Sequence, residues 1–220
     1  MGVKPGFEFF TLFRKPSQQE IQTTFDRAAT RDANHNYVGL TEDDQLVPKR
    51  LGLGWSVDHH RAKVGKGRKA YQRAQSALRR WQHMQLGWVE TTSAPVATGE
   101  LVCVAHRAIF AWLRNPLKVV YATEGKVSLR SPAAASQQLG RGQRFKFGQT
   151  TLDGHVIAGE ERFTLEWHHD DDSVWYDIFT ISRPATALSL LSYPISRFYQ
   201  HRFRVESTEL VRRAAEGQVL

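Results

Sequence analysis

With 220 residues, 41% hydrophobic and 24% charged, the chain reads as one soluble globular domain of ordinary size with a short extension. No run approaches the about 20 continuous apolar residues that a membrane-spanning helix needs. The N-terminus reads as neither a secretory signal nor, with Glu8, Glu20 and Asp26 so early, a transit peptide. A formal charge of +8 favours anionic partners without selecting one, and a merely soluble basic protein is an equal reading.

The single cysteine, Cys103, sits in the apolar run LVCVA; it has no internal disulfide partner and reads as a buried thiol in a reducing compartment. Near the N-terminus, Phe7, Phe9, Phe10 and Phe13 cluster ahead of Pro16. Ser17 to Glu20 has capping-box spacing, which predicts a helix over 18–28 with Ile21 and Phe25 on its inner face. Residues 30–54, rich in Asp, Asn, Gly and Pro, read as a loop that wraps a neighbouring surface. Residues 1–54 are therefore assigned to an extension and 55–216 to the main domain.

Regular patterning starts at Trp55. Ser56 to Val64 suits a strand, Gly65-Lys66-Gly67 breaks it, and Tyr71, Ala74, Leu78 and Trp81 form one stripe of a helix over 68–81. Six strand-like runs follow, at 87–92, 100–107, 117–123, 144–152, 155–167 and 173–183, rich in Val, Thr and aromatic residues. Asp153-Gly154 predicts a two-residue hairpin turn, and His168 to Asp172 a longer polar loop. Residues 125–142 read as a flexible insertion, and 188–215 as a long helix that Pro194 kinks or delays. Strand, helix, six antiparallel strands and a long helix is the α+β order of the helix-grip fold, seen in START-like and pollen-allergen-like proteins. There a curved antiparallel sheet wraps the last helix and leaves a cavity.

Four blocks carry a family resemblance: VGKGRKAYQRAQSALRRW…LGW (64–88), WLRNPLKVVY (112–121), FGQTTLDGHVIAGEERF (147–163) and VWYDIFTISRPA…YP (174–194). Together they resemble the DUF1990 (UPF0548) family, which has no assigned activity, over about residues 36–213. The N-terminal portion is similar to the longer plant and green-algal members. That resemblance implies the cytosolic face of the chloroplast outer envelope as a location beside the cytoplasm, and ion passage as an alternative role. The insertion is longer than the family pattern, and Val38 stands where plant relatives are basic.

Glu160 and Glu161 are adjacent on a strand and point to opposite faces. Glu161 shares its face with Phe163, Leu165 and Trp167. Arg183, in phase with Trp175, Asp177, Phe179 and Ile181, is its candidate cation, with Asp177 placed on the same face. This set reads either as a polar cluster orienting a ligand headgroup at a cavity floor or, preferably, as a satisfied buried ion pair. His155 beside the turn reads as structural, because no acid–base partner is placed next to it. His168, His169 and the following aspartates read as a solvated turn rather than a metal site, and His59 and His60 point to opposite faces. Gly65 to Lys69 lacks the phosphate-loop pattern, and buried Cys103 is a poor nucleophile.

On the C-terminal helix, Leu190, Leu191, Ile195, Phe198, Tyr199 and Phe203 are expected to face the sheet, and Arg197, His201, Arg202, Arg204, Arg212 and Arg213 the solvent. The expected function is non-enzymatic binding of an apolar, lipid-like molecule. Its candidate contacts are Glu161, Phe163, Trp167, Trp175, Asp177, Phe179, Arg183, Phe203 and His155. No cofactor or metal is expected. An anionic membrane surface or a protein is an alternative partner, nucleic acid is not expected, and a subunit of a larger assembly is a further alternative.

Overall fold

Period-two alternation builds eight strands: β1 (Phe10–Leu12), β2 (Ser56–Lys66), β3 (Val89–Thr91), β4 (Leu101–Ala108), β5 (Ala111–Arg130), β6 (Leu139–Thr151), β7 (Ile157–His168) and β8 (Ser173–Pro184). The structure, a computed structural model, describes residues 10–130 and 139–219. Every pairing is antiparallel, in the order β2-β8-β7-β6-β5-β4-β3, with β1 added beside the start of β5. Register shifts between Lys63 and Gly65 and between Val119 and Tyr121 place an extra residue in β2 and in β5. Such bulges bend a strand and increase its twist. The helices are α1 (Gln18–Ala28), α2 (Val47–Arg50), α3 (Gly67–Arg79), α4 (Ala187–Leu191) and α5 (Tyr193–Glu216).

The concave face holds the main core. Phe163 pairs with Ile178 and Leu165 with Tyr176, so odd residues of β7 share a face with even residues of β8. On that face Phe145, Phe147, Phe163, Leu165, Tyr176 and Ile178 meet Tyr71, Ala74 and Leu78 of α3 and Val211 and Ala215 of α5. This is the helix-grip arrangement, a curled antiparallel sheet closed by the C-terminal helix.

The convex face is covered by the N-terminal residues. Ser17 caps α1 as its spacing predicts: its Oγ accepts from the Glu20 N–H (3.2 Å) while Glu20 accepts from the Ser17 N–H (2.7 Å). The Arg14 guanidinium holds the Glu20 carboxyl down at about 2. Further on, Leu40 and Val47 pack on Phe179 and Ile181. Glu160 accepts from the N–H groups of Gly39 (2.6 Å) and Thr41 (2.9 Å). Arg162 donates to the Thr41 carbonyl (2.9 Å) and pairs with Asp177 (3.2 Å) and Asp44 (3.3 Å). Asp177 also binds His59. Burial pushes the Asp177 carboxyl up, but His59 and Arg162 outweigh it and hold it below its ordinary range.

Four expectations need correction. Residues 125–130 and 139–142 are not an irregular insertion; they extend β5 and β6 as a paired arm from Gly125↔Arg144 to Arg130↔Leu139. Residues 131–138 of that segment, and Phe7 and Phe9, lie outside the described residues. Asp153-Gly154 does not form a two-residue hairpin. The His155 N–H closes a turn on the Leu152 carbonyl (3.1 Å) with positive φ at Gly154, and Asp153 is not among the positive-φ residues. The C-terminal helix is split in two, with Ser192 between and Pro194 in the first turn of α5. Finally, Leu190, Leu191 and Phe198 do not face the sheet; they are exposed, and Ile195 is partly so, whereas Arg204 is largely covered.

The buried charges on the convex face depend on one another. Asp177→Ala leaves the buried Arg162 guanidinium with the Thr41 carbonyl and the half-exposed Asp44 in place of its buried carboxylate and is expected to cost about 3 kcal/mol. Asp177→Leu combined with Arg162→Met is expected to recover most of that loss. Urea unfolding of the two variants checks this, and equal destabilisation by both would refute the coupling.

Candidate functional site

The C-terminal half of α5 is seated in the sheet, with Val211, Ala214 and Ala215 buried and Ser207 Oγ 3.2 Å from the Tyr176 hydroxyl. Toward its N-terminus the helix stands off the sheet. The space beneath is lined by small or hydroxylic residues: Ala108 and Ala111 on the strands and Ser192 and Ser196 at the helix. A cavity of about 400 Å³ results. Met84, Trp88 and Phe203 bound its inner end beside the core, and the exposed Ile109 and Ile195 its outer end. Gly159 belongs to this wall because a Cβ there would lie 2.3 Å from the Ile181 carbonyl.

Apolar surface predominates in this lining, but polar side chains also contribute to it. At the inner end, Glu161 accepts from the Thr180 hydroxyl (3.1 Å) and from Gln149 Nε2 (3.4 Å). Burial pushes its carboxyl up to about 7 against those two bonds and the Arg204 charge. Gln149 is 3% exposed, and its Oε1 has no hydrogen-bond partner among the described residues. Arg204 reaches Asp58 of β2 (3.4 Å), which Arg197 also holds (2.6 Å).

His106 and His155 also line the cavity, as do Asn115, Tyr199 and Gln200. His155 Nδ1 accepts from the Ile157 N–H (3.0 Å) and His106 Nδ1 lies 2.8 Å from the Asn115 amide nitrogen, so each ring carries its proton on Nε2. Burial pushes His106 down to about 4 and His155 to about 3, which keeps both neutral. At the helix, the Tyr199 hydroxyl accepts from the Ile109 N–H (3.0 Å), and Trp88 Nε1 donates to Glu206 of α5 (2.6 Å).

The structure divides the residues singled out in the sequence. Glu161, His155 and Phe203 line the cavity, and Phe163 packs beneath it against Phe203, with ring centroids 6.3 Å apart. Trp167 shares the concave face but lies away from the cavity, donating to Asp172 (2.8 Å). Trp175, Asp177, Phe179 and Arg183 are on the convex face, so Glu161 meets neither Asp177 nor Arg183. Arg183 instead lies over the Trp55 ring, 4.9 Å from its centroid. The register explains the correction: residues of like parity on β7 and β8 point to opposite faces.

Sequence reasoning missed Gln149, Thr180, His106 and Arg204. Gln149 directly opposes Glu161 across β6 and β7, inside a block already singled out. Arg204 had been assigned to the wet face. Among the described residues, no group of three or more His, Cys, Asp or Glu is arranged to hold a metal ion. His168 is buried beside Glu166 (3.5 Å), not in a solvated turn. Cys103 is buried, its thiol pushed up to about 12.

Fold and site together define a helix-grip protein with an apolar internal cavity. The chain belongs to the family described as "Domain of unknown function (DUF1990)", whose model matches residues 35–210. It is 32% identical over 210 residues to the UPF0548 protein of Arabidopsis thaliana, covering 92% of this chain and 96% of the relative. Among solved structures it is similar to Ara h 8.0201 (TM-score 0.42, 7% identity, 72% of this chain and 98% of that one). It is also similar to human STARD10 (TM-score 0.42, 9% identity, 92% and 82%).

The buried imidazoles set an acid limit on stability. His83, stacked among Trp81, Phe147 and Phe163 with no partner for either nitrogen, is pushed down to about 3 by burial, as is His155, with His106 at about 4. Below the ordinary histidine value near 6.5 the unfolded chain binds protons that the folded chain refuses. Stability therefore falls as the pH drops from about 6.5 toward 4, by at most about 1.4 kcal/mol per pH unit for each histidine. Glu161, Glu160 and His59, raised in the fold, bind protons early and oppose this, while His35, His60 and His168, lowered in the fold, add to it. Urea midpoints are expected to fall between pH 7 and 5, with His83→Leu flattening the slope; a pH-independent midpoint would contradict it.

Proposed function

We propose that the protein binds an apolar small molecule between its sheet and α5. The single observation that carries this is the cavity of about 400 Å³ with predominantly apolar walls from both the sheet and the helix. That volume falls within the about 300–1,000 Å³ of small-molecule sites, and its mostly apolar surface with convergent polar groups is the kind that holds and orients a mainly apolar guest. The test compares native and denatured masses of the purified protein. An excess native mass that vanishes on denaturation, and is absent from Val104→Trp or Ser196→Trp with the cavity filled, is the expected result. A bare native mass, together with no uptake of any apolar probe, would overturn the reading.

A second reading has its own observation. Around the outer end, Phe13 stacks on Phe110 (5.4 Å between centroids), and Phe13, Phe110, Ile109, Ile195, Phe198, Leu190 and Leu191 are all exposed. An apolar rim on a chain of charge +8 suits attachment to an anionic bilayer surface. Flotation with anionic vesicles, lost in Phe13→Ser/Phe198→Ser, supports it; equal recovery with neutral vesicles counts against the electrostatic part.

A further inference from the structure

The inner end of the cavity is more specific than an apolar hole. Gln149 opposes Glu161 across the β6–β7 ladder, yet a single long contact of 3.4 Å joins their side chains, leaving Gln149 Oε1 without a partner. Exchanging the two ends of the amide does not remove the deficit, because one end still faces Glu161 and the other nothing. An unpaired buried polar atom is destabilising. The fold sustains that cost at a position that lines the cavity.

Charge narrows what could fill it. Arg197 and Arg204 of α5 share one carboxylate, Asp58, so this side of the cavity carries surplus positive charge and resists an ammonium group. Glu161 on the sheet resists a carboxylate. The remaining group with a proton near Glu161, the Tyr176 phenol, is committed to Ser207, and the two imidazoles of the lining are neutral. A hydroxyl satisfies the position in every state. It donates to Gln149 Oε1 or to an ionised Glu161, and it accepts from the amide NH₂ or from a protonated Glu161.

We infer that the inner end of the cavity recognises the hydroxyl of an otherwise apolar, uncharged alcohol, held between the Glu161 carboxyl and the Gln149 side-chain amide. The inference rests on the cavity reading above and adds the class of the guest. Trp88, Met84 and Phe203 would enclose the hydrocarbon next to the hydroxyl.

The test is displacement of 1-aminoanthracene, a neutral fluorescent probe, from the unmodified protein by four ligands of one chain length: decane, decan-1-ol, decanoate and decylamine. Decan-1-ol is expected to compete at a concentration at least about fivefold below decane, the gain of one to two hydrogen bonds, and about tenfold or more below either charged ligand. Gln149→Leu should erase the preference of alcohol over alkane, and Glu161→Gln, which still donates and accepts, should keep it. Decylamine binding best, with loss in Glu161→Gln, would overturn the proposal and make Glu161 a counter-ion. Decanoate binding best would overturn it in favour of Arg204. Equal competition by decane and decan-1-ol would remove the polar recognition and leave the cavity reading standing. Failure of the probe itself to bind would remove the cavity reading and this inference together. The ligand ranking is read on the unmodified chain, so a variant that does not fold leaves the proposal decided.

Discussion

The strand β7 carries two successive carboxylates, and the pleat sends one to each face of the sheet. Neither face can be left to solvent alone, because the same strand buries Phe163 and Leu165 on one side and Arg162 and Thr164 on the other. The two faces answer this demand differently. On the convex side, Glu160 meets fixed donors from residues 39–41, so the N-terminal residues are held to the sheet by charge-assisted bonds as well as by Leu40 and Val47. On the concave side, Glu161 meets a hydroxyl and a distant amide, with no cation in direct contact. One carboxylate staples the fold, and the other stands in the wall of a space.

That space exists because α5 is fixed at one end and bridged at the other. Its C-terminal half is packed, while Trp88–Glu206, the two-pronged Arg197–Asp58 pair and Ile109–Tyr199 bridge the helix to the sheet side. Such bridges hold the helix at a set distance without filling the volume below it. The break at Ser192 and the exposed leucines of α4 lie at the outer end, where few buried contacts secure the chain. Segments of that kind open at low free energy.

Much of the fold could be read from the chain. The capping box, the break at Gly65–Gly67, the helical stripe of Tyr71 to Trp81 and the seven strands β2 to β8 are local patterns, and local chemistry produces them. What could not be read was the relation between strands. Within β7 the phase of Glu161 with Phe163 is right, and within β8 so is the phase of Asp177 with Arg183, yet joining them needs the register. Residues 169–172 set that register by turn geometry and by contacts such as the Gly67 N–H to the Asp172 carbonyl (2.7 Å). Both faces of β8 are rich in apolar residues, Tyr176 and Ile178 on one and Phe179 and Ile181 on the other, so hydrophobicity did not mark the inner face either. The arm beyond Gly125 was missed because its glycines and serines resemble a loop. The exposed leucines of α4 were misassigned because an apolar stripe on a helix normally marks its buried side.

The raised carboxyl of Glu161 has no direct hydrogen bond to another titrating group among the described residues. A carboxyl pushed up to about 7 is well poised to move a proton, but a proton transferred to Glu161 would need a second group to complete the exchange. Thr180 and Gln149, its hydrogen-bonding neighbours, neither gain nor lose a proton near neutral pH. His106 and His155 have their Nδ1 atoms engaged by Asn115 and Ile157 and are held neutral by burial. None of their hydrogen bonds reaches Glu161. An acid of raised pKa, an amide with one end open and a mostly apolar wall are the features on which the proposed recognition of an uncharged polar group on a hydrocarbon rests.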